Sequence, residues 1–434
     1  MSPKANTQYV FSLTSKQIPE AVGTKAYQLQ YLIKNGYKVP ESHACTWDAH
    51  LSYLQKNEDI LLNIREELKH IINANVKYAV RSSANVEDSL DHSFAGQFMT
   101  CLNVTGLDGV INAIQTVWES AQSETTRAYL HRIDPQNTIQ LKMAVLIQEM
   151  VEPVFSGVSF GKNPITAFDE VVVESVKGSG TALVQEGFTP QRWLNKWGGW
   201  IEQPESPEIT LELAQEVVDQ TKRLSNILDR DLDLEWVHDG QDLYWVQLRD
   251  ITTTSAPNIY SNKIARETTP GLVQPLVWSV TVPIPSKAWV NLLTEVIGKN
   301  DLEPNSLMRA FHYRAYHNMG IFGRVFEGLG LPRESLEIII GVVPPGAGKA
   351  PIKPSFKTVR LAPRFVRFFW DKWTFAKHLE TNYPRLYRDS RRYPVDPASE
   401  LDERELLAVI DQLTPLCEEA SYDTIVTIIL MQAY

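Results

Sequence analysis

The sequence predicts an α+β chain: a mixed domain over residues 1–255, followed by a mostly helical part divided into a linker region, 256–345, and a basic aromatic region, 346–434. Two observations carry this. Up to about residue 255, helical and extended hydrophobic patterns alternate. Beyond Ser255 the proline density rises, and Pro344-Pro345-Gly346-Ala347-Gly348 reads as a loop or linker.

The elements follow in order. Thr24 to Asn35 reads as a helix with Ala26, Leu29, Leu32 and Ile33 on one stripe and Gly36 as its stop. A second helix runs from Ile60 to Ile72, with Ile60, Leu61, Ile64, Leu68, Ile71 and Ile72 inward. Tyr78-Ala79-Val80 is a short buried strand, and Leu107 to Trp118 is helical again. Met143 to Ile147 and Val171 to Val173 are apolar runs of the central-strand kind. Ile209, Leu213, Val217, Leu224 and Leu228 mark a helix, and Leu232 to Leu248 forms a hairpin around Asp239-Gly240.

Composition bounds the function. A length of 434 residues suggests two or three domains. The net charge of −10 argues against a general nucleic-acid binder unless positive charge is segregated. Such a window exists: Lys353 to Arg392 holds 11 Lys/Arg against 3 Asp/Glu, a net of +8 that leaves −18 elsewhere, together with Phe365, Phe368, Phe369, Trp370, Trp373 and Phe375. It reads as helix docked on a domain or a missing partner, with nucleic acid or an anionic membrane surface as the rival. Cys45, Cys101 and Cys417 are too scattered for a disulfide framework or a zinc site, and a cytoplasmic setting is expected. No segment reaches membrane-spanning length, and Met1 to Thr14 lacks the apolar core of a secretory signal.

Three motifs carry chemistry. In Val80-Arg81-Ser82-Ser83-Ala84, continuing through Glu87-Asp88 to Ser93-Phe94-Ala95-Gly96-Gln97, a strand delivers an arginine to a small-residue loop. Such a loop lets backbone N–H groups approach phosphate oxygens, which the planar guanidinium can also grip; the plainer reading is a polar surface loop. In Val22-Gly23-Thr24-Lys25-Ala26 a glycine turn, a helix N-terminus and a lysine form a candidate anion site, although most such lysines are simply solvated. In the hairpin, Gln247 and Arg249 share a strand face because the period is two. A two-residue Asp-Gly turn would put Glu235 on the opposite face. A three-residue loop Asp239-Gly240-Gln241, or a bulge, would bring it beside Gln247, and one of these is expected. A Glu and a Gln oxygen together suit Mg²⁺ completed by phosphate oxygens; the alternative is a polar pair on a wet sheet face.

With Ile147-Gln148-Glu149-Met150-Val151, Ser156-Gly157-Val158, Asn163-Pro164, Leu234-Glu235-Trp236 and Gln247-Leu248-Arg249, these motifs occur in an order and spacing that resembles one family. It is the N-terminal ATP-grasp, nucleotide-binding domain of phosphoenolpyruvate synthase, pyruvate phosphate dikinase and rifampicin phosphotransferase, matched over residues 15 to 254. The segment from Tyr260 to Trp278 is similar to the linker of synthase-like members. The resemblance implies an ATP-dependent phosphotransferase that uses ATP and Mg²⁺. It implies that Lys25 and Arg81 hold phosphates, with Gly96 and Thr100 in and just after the phosphate loop. Gln148 would lie by the adenine hinge, where Glu149 to Val151 supply backbone contacts. Glu235 and Gln247 would coordinate Mg²⁺, and Arg249 would face the terminal phosphates. Arg81 and Arg249 would be the catalytic pair.

Departures from the family pattern matter. Gln-Ser-Arg-Pro reads Gln247-Leu248-Arg249-Asp250, Phe-Thr-Arg-Asn-Pro reads Phe160-Gly161-Lys162-Asn163-Pro164, and acids of the pattern are replaced at Thr181 and Gln191. The family passes phosphate through a histidine in a Ser/Cys-His-Ala setting on a swivelling domain. The only such triplet here, Ser42-His43-Ala44, follows Val39-Pro40 and reads as coincidence. His92 is a candidate ATP contact or a solvated loop histidine, and Lys349 has the wrong spacing for a Walker loop. The apolar run Ile425 to Met431 implies a buried terminal element or a chain cut inside one. The expectation is therefore the ATP-binding part of a phosphoenolpyruvate synthase-like enzyme, its histidine domain supplied in cis or in trans. Pyruvate, ATP and water would yield phosphoenolpyruvate, AMP and phosphate. The rivals are a same-class enzyme acting on an antibiotic or phenolic acceptor, and a degenerate ATP-binding module without turnover.

Overall fold

The computed structural model describes residues 8–57, 59–85, 88–89, 92–93, 98–133, 136, 140–180, 189–251, 259–263, 265–268, 270–341, 343–351, 356–393 and 401–433. The chain divides into two units: Met1–Pro164 with Glu170–Asn195 and Glu202–Thr252, and Ile165–Asp169 with Lys196–Ile201 and Thr253–Tyr434. Helices and antiparallel sheets are mixed, as the hydrophobic periodicities require.

The first unit begins with β1 (Val10–Ser12), α1 (Thr24–Lys34), β2 (Ser42–Cys45), α2 (Trp47–Leu54), α3 (Ile60–Leu68) and β3 (Lys77–Ala84). Short strands β4 (Asp88–Ser89) and β5 (His92–Ser93) follow, then β6 (Thr100–Thr105), α4 (Gly106–Ser120), α5 (Glu124–Ile133) and β7 (Met143–Glu149). An antiparallel sheet of order β1-β2-β7-β3-β6 results. Val80 and Ile147 pair across β3 and β7 and are buried with Ile60, Ile64, Ile114 and Trp118, which uses the apolar stripes of α3 and α4. The helix expected to reach Ile72 stops at Leu68. Asn73 and Asn75 favour a turn there, the Asn73 side chain accepting from the Asn75 N–H at 3.0 Å.

The second sheet contains β8 (Phe155–Phe160), β9 (Glu170–Lys177), β10 (Gln191–Lys196), β11 (Gly199–Glu202), β12 (Leu232–His238) and β13 (Leu243–Asp250), ordered β11-β10-β9-β8-β12-β13. Before β12 comes α6 (Leu211–Leu228), capped by Thr210, whose hydroxyl accepts from the Leu213 N–H at 3.2 Å. Its stripe Leu213, Val217 and Leu224 is buried. Gly157 on β8 is required by packing: a Cβ there would lie 2.0 Å from the Glu174 carbonyl oxygen and 2.7 Å from the Trp236 ring.

The β12–β13 connection corrects the expected loop. His238 pairs with Leu243, so four residues, Asp239 to Asp242, make the turn rather than three. The Asp239 carboxylate organises it by accepting from the Gln241 and Asp242 N–H groups, each at 2.8 Å. The expected bulge is present, between Glu235 and Trp236 in the register.

The second unit contains β14 (Tyr260–Ser261), α7 (Ala265–Thr268), α8 (Pro275–Thr281), α9 (Pro283–Ile297), β15 (Met308–Phe311), β16 (Arg314–Asn318), α10 (Met319–Gly328), α11 (Ser335–Ile340), α12 (Phe356–Asp371), α13 (Phe375–Ser390) and α14 (Glu403–Ala433). The strands form a sheet of order β14-β16-β15, and Trp289, Leu293, Phe322, Phe368 and Val426 meet in its core. The apolar run near residue 425 thus enters this core through Ile425 and Val426, which are buried. Lys196 is buried 3.5 Å from Glu334 and 3.6 Å from Glu337, so charges removed from water are matched by opposite charges. No helix among the described residues is long and apolar enough to cross a membrane.

Candidate functional site

The site is built on the hairpin. Glu235 stands opposite Gln247, and Asp233 opposite Arg249. Period-two alternation puts these four polar side chains on one face, while Leu234, Trp236, Trp245 and Leu248 are buried on the other. The extra residue at the bulge, Val246, sets this arrangement. Without it, the register that pairs Trp236 with Trp245 would place Glu235 opposite Val246.

β3 supplies the central cation. Arg81 donates through Nη2 to Gln247 Oε1 and through Nη1 to the Val246 carbonyl at 3.3 Å. Its Nη2 also lies 3.7 Å from Glu235 Oε2, and Arg249 Nη1 lies 4.0 Å from Glu235 Oε1. One carboxylate therefore sits between two guanidiniums, partly open to water. Gln247 is only 3% exposed, yet its Nε2 and the Nε of Arg81 have no hydrogen-bond partner among the described residues. Buried donors left over beside clustered charge suit a polar occupant.

Lys25 arrives from the first turn of α1 and is buried, its Nζ 3.4 Å from the hydroxyl of Ser82, the neighbour of Arg81 on β3. The helix start is pinned to that strand. The Ala26 N–H donates to the Ser83 hydroxyl at 3.2 Å, and the Thr24 hydroxyl donates to the Ala84 carbonyl at 3.1 Å. One of the N–H groups that could have met an anion is thus engaged by Ser83. Gly23 has φ +79°, and a Cβ on it would lie 1.7 Å from the Ser83 carbonyl oxygen. Gly23→Ala is expected to cost about 3 kcal/mol or more, combining left-handed strain with a backbone clash. If Lys25 holds phosphate, as the resemblance implies, the substitution should also weaken nucleotide binding by moving it. Urea midpoints and a nucleotide titration check both, and a variant as stable as the parent would show that the turn tolerates a side chain.

The other expected residues are distributed more widely. Thr100 opens β6 opposite Arg81 and is exposed. Gln148 is buried and donates through Nε2 to the Ser42 hydroxyl at 3.2 Å, so its side chain is committed to β2. The Glu149 N–H donates to the Glu41 carbonyl at 2.8 Å and the Met150 N–H to the Lys77 carbonyl at 2.9 Å. Burial raises the Glu149 carboxyl above its ordinary range, and nearby Glu41 adds to this. Val151 lies in the short connection between β7 and β8. Gly96, Thr181 and the His92 side chain lie outside the described residues. Gln191 holds a loop: its Nε2 donates to the Ser206 carbonyl and its Oε1 accepts from the Glu208 N–H, both at 2.8 Å. His43 is buried within β2, where desolvation lowers its pKa.

Sequence reasoning missed Asp233. Its signal was the same strand period that linked Gln247 to Arg249, applied two residues before Glu235. The carboxylate and amide oxygens of Glu235 and Gln247 are hard donors on one face and fit a magnesium ion that takes its remaining ligands from elsewhere. No group of three or more His, Cys, Asp or Glu side chains among the described residues could hold a metal by itself.

Residues 57–205 match the family model described as pyruvate phosphate dikinase, AMP/ATP-binding domain. The prodigiosin synthesizing transferase PigC of Serratia marcescens is 28% identical over 299 residues, which are 56% of this chain and 33% of that protein. Phosphoenolpyruvate synthase of Pyrococcus furiosus is 30% identical over 246 residues, covering 46% and 30% of the two chains. Rifampicin phosphotransferase of Streptomyces sviceus is 33% identical over 205 residues, covering 41% and 23%. The chain spans a third or less of the length of these relatives. By this match, residues 57–205 belong to the AMP/ATP-binding domain family of pyruvate phosphate dikinase, and the stretch around them is similar to phosphoenolpyruvate synthase and rifampicin phosphotransferase.

Proposed function

We propose that the first unit is an ATP-grasp domain that binds Mg²⁺-ATP and feeds phosphate to a carrier histidine in cis or in trans. That histidine would pass phosphate to pyruvate or another small acceptor. The observation carrying this is the position of Arg81, whose guanidinium reaches both Glu235 and Gln247 while Arg249 flanks the same carboxylate.

Phosphoryl transfer relies chiefly on fixed charges that match those growing on the phosphate oxygens. Glu235 and Gln247 would hold the magnesium ion, which when bound would neutralise and orient phosphate oxygens. Arg81 and Arg249 would grip the terminal phosphates. Lys25 would meet phosphate beside β3, and Gln148 would lie by the adenine, with Glu149 to Val151 supplying backbone contacts. Gln247 Oε1 accepts from Arg81 and keeps a second lone pair for a metal, so the ion and the guanidinium would share this oxygen.

The test is ATP consumption by the full chain with and without a polypeptide carrying the histidine domain. AMP formed only when that polypeptide is present supports the proposal. AMP formed by the chain alone, or tight ATP binding with no transfer to any such polypeptide, refutes the carrier step; absence of ATP binding refutes the whole reading. A second reading keeps the chemistry and changes the acceptor. It is favoured by the relatives named prodigiosin synthesizing transferase and rifampicin phosphotransferase.

A further inference from the structure

Helix α12 has three faces. Leu361, Phe365 and Phe368 point into the core of the second unit. A second face carries Val359, Pro363, Val366 and Trp370 at helical spacing, continued by Trp373 in the turn that follows. All are exposed, Trp370 and Trp373 at 78% each. A third face carries Arg360, Arg364 and Arg367, with the Arg364 guanidinium lying over Gly298 and Arg367 Nε 3.5 Å from Asp371. The helix is thus anchored on one side and presents an apolar stripe bordered by arginines on the other.

We propose that this stripe docks on an anionic lipid surface. Tryptophan side chains with an apolar body and a polar N–H favour the boundary between headgroups and acyl chains, and flanking arginines meet anionic headgroups. Charge supports one orientation only, since the window from Lys353 to Arg392 is +8 and the rest of the chain −18. A further polypeptide segment seated on the stripe is the competing occupant, and it predicts a chain that ignores anionic vesicles; the remaining occupants match less well. Trp370 and Trp373 offer two platforms for nucleic-acid bases, but Val359, Pro363 and Val366, the rest of the stripe, offer no aromatic face. A two-fold pairing of this face with itself in a second copy would oppose arginine to arginine. A span is not implied, because the helix is already held along its length by the core.

Co-sedimentation of the full chain with vesicles decides the matter. It should pellet with vesicles of phosphatidylcholine mixed with phosphatidylglycerol, lose most of that binding at high salt, and stay in solution with phosphatidylcholine alone. Trp370→Ser with Trp373→Ser should lower partitioning at least about tenfold, since binding scales with buried apolar area. Arg360→Gln, Arg364→Gln and Arg367→Gln together should lower it roughly a hundredfold. The urea midpoint of the tryptophan variant should be unchanged, because both side chains are exposed; that of the arginine variant is measured beside it, since Arg364 also packs over Gly298 and Arg367 pairs with Asp371, and the two together separate lost docking from lost folding. The proposal falls if the chain ignores anionic vesicles, binds neutral ones equally well, or uses these tryptophans instead to form a dimer or retain an oligonucleotide.

Discussion

Glu235→Gln is expected to weaken Mg²⁺-ATP binding by about ten- to a hundredfold, or about 1.4–2.8 kcal/mol. The change keeps the shape of the side chain and removes its charge. In the present arrangement that charge lies within 3.7 Å of Arg81 and 4.0 Å of Arg249. Without it, the two guanidiniums have lost their shared counter-ion, and a divalent cation brought to Gln247 meets both of them with no carboxylate between. Metal-free ATP should behave differently. Its phosphates would encounter both arginines without competition from a carboxylate, so affinity in EDTA should hold or rise. Titrating ATP with and without Mg²⁺ therefore gives two opposed responses from one substitution. If both affinities fall together, Glu235 acts through the fold rather than as a cation ligand. Arg81→Lys provides the complement. A lysine keeps the charge but cannot replace the fork that reaches Gln247, Glu235 and the Val246 carbonyl at once.

The parts of this site that were legible in the sequence are those fixed by short-range geometry. Strand alternation links Gln247 to Arg249, and the need for Glu235 to join them demands an irregularity in the hairpin. The parity argument could not choose between a loop and a bulge. The choice depends on Asp239, whose carboxylate gathers two N–H groups into a four-residue turn and leaves the bulge to correct the register. What stayed hidden depends on contacts between distant segments. Nothing near Gln148 indicates that its amide is committed to Ser42, 106 residues away. Nothing near Gly23 indicates that the Ser83 carbonyl will press against it. The helical stripes of Thr24 to Lys34 and Gly106 to Ser120 were readable because burying one face of a helix leaves a period in the sequence itself. The fit of the basic aromatic window was readable only in part. Its spacing reveals a helix, but only the packing of Leu361, Phe365 and Phe368 shows which face remains open.

Acidification is expected to destabilise both units through two histidines that no motif singled out. His50 on α2 is buried against Trp118, ring centroids 5.6 Å apart, and neither ring nitrogen has a hydrogen-bond partner among the described residues. His317 on β16 is buried 6.2 Å from the Phe322 ring, with its Nδ1 unpartnered among the described residues. Desolvation pushes each down to about 4. In the unfolded chain each titrates near about 6.5. Between these values the unfolded state holds protons that the folded state refuses, so stability falls as the pH falls. Above pH ~6.5 both forms are neutral and the full contribution is present. By about pH 5 each histidine should have removed about 2 kcal/mol, and below about pH 4 about 3 kcal/mol. Those are large fractions of the roughly 5–15 kcal/mol that holds a domain folded. Urea unfolding at neutral pH and near pH 5, followed separately in each unit by limited proteolysis, measures the slopes. His50→Leu should flatten the pH dependence of the first unit alone, and His317→Leu that of the second alone. Leucine cannot take a proton and leaves no polar atom in the apolar site, so neutral-pH stability should change less than the slope does. Unaltered slopes in both variants would mean that the buried rings admit a proton without opening the fold, and the acid sensitivity would have to originate in the carboxylates.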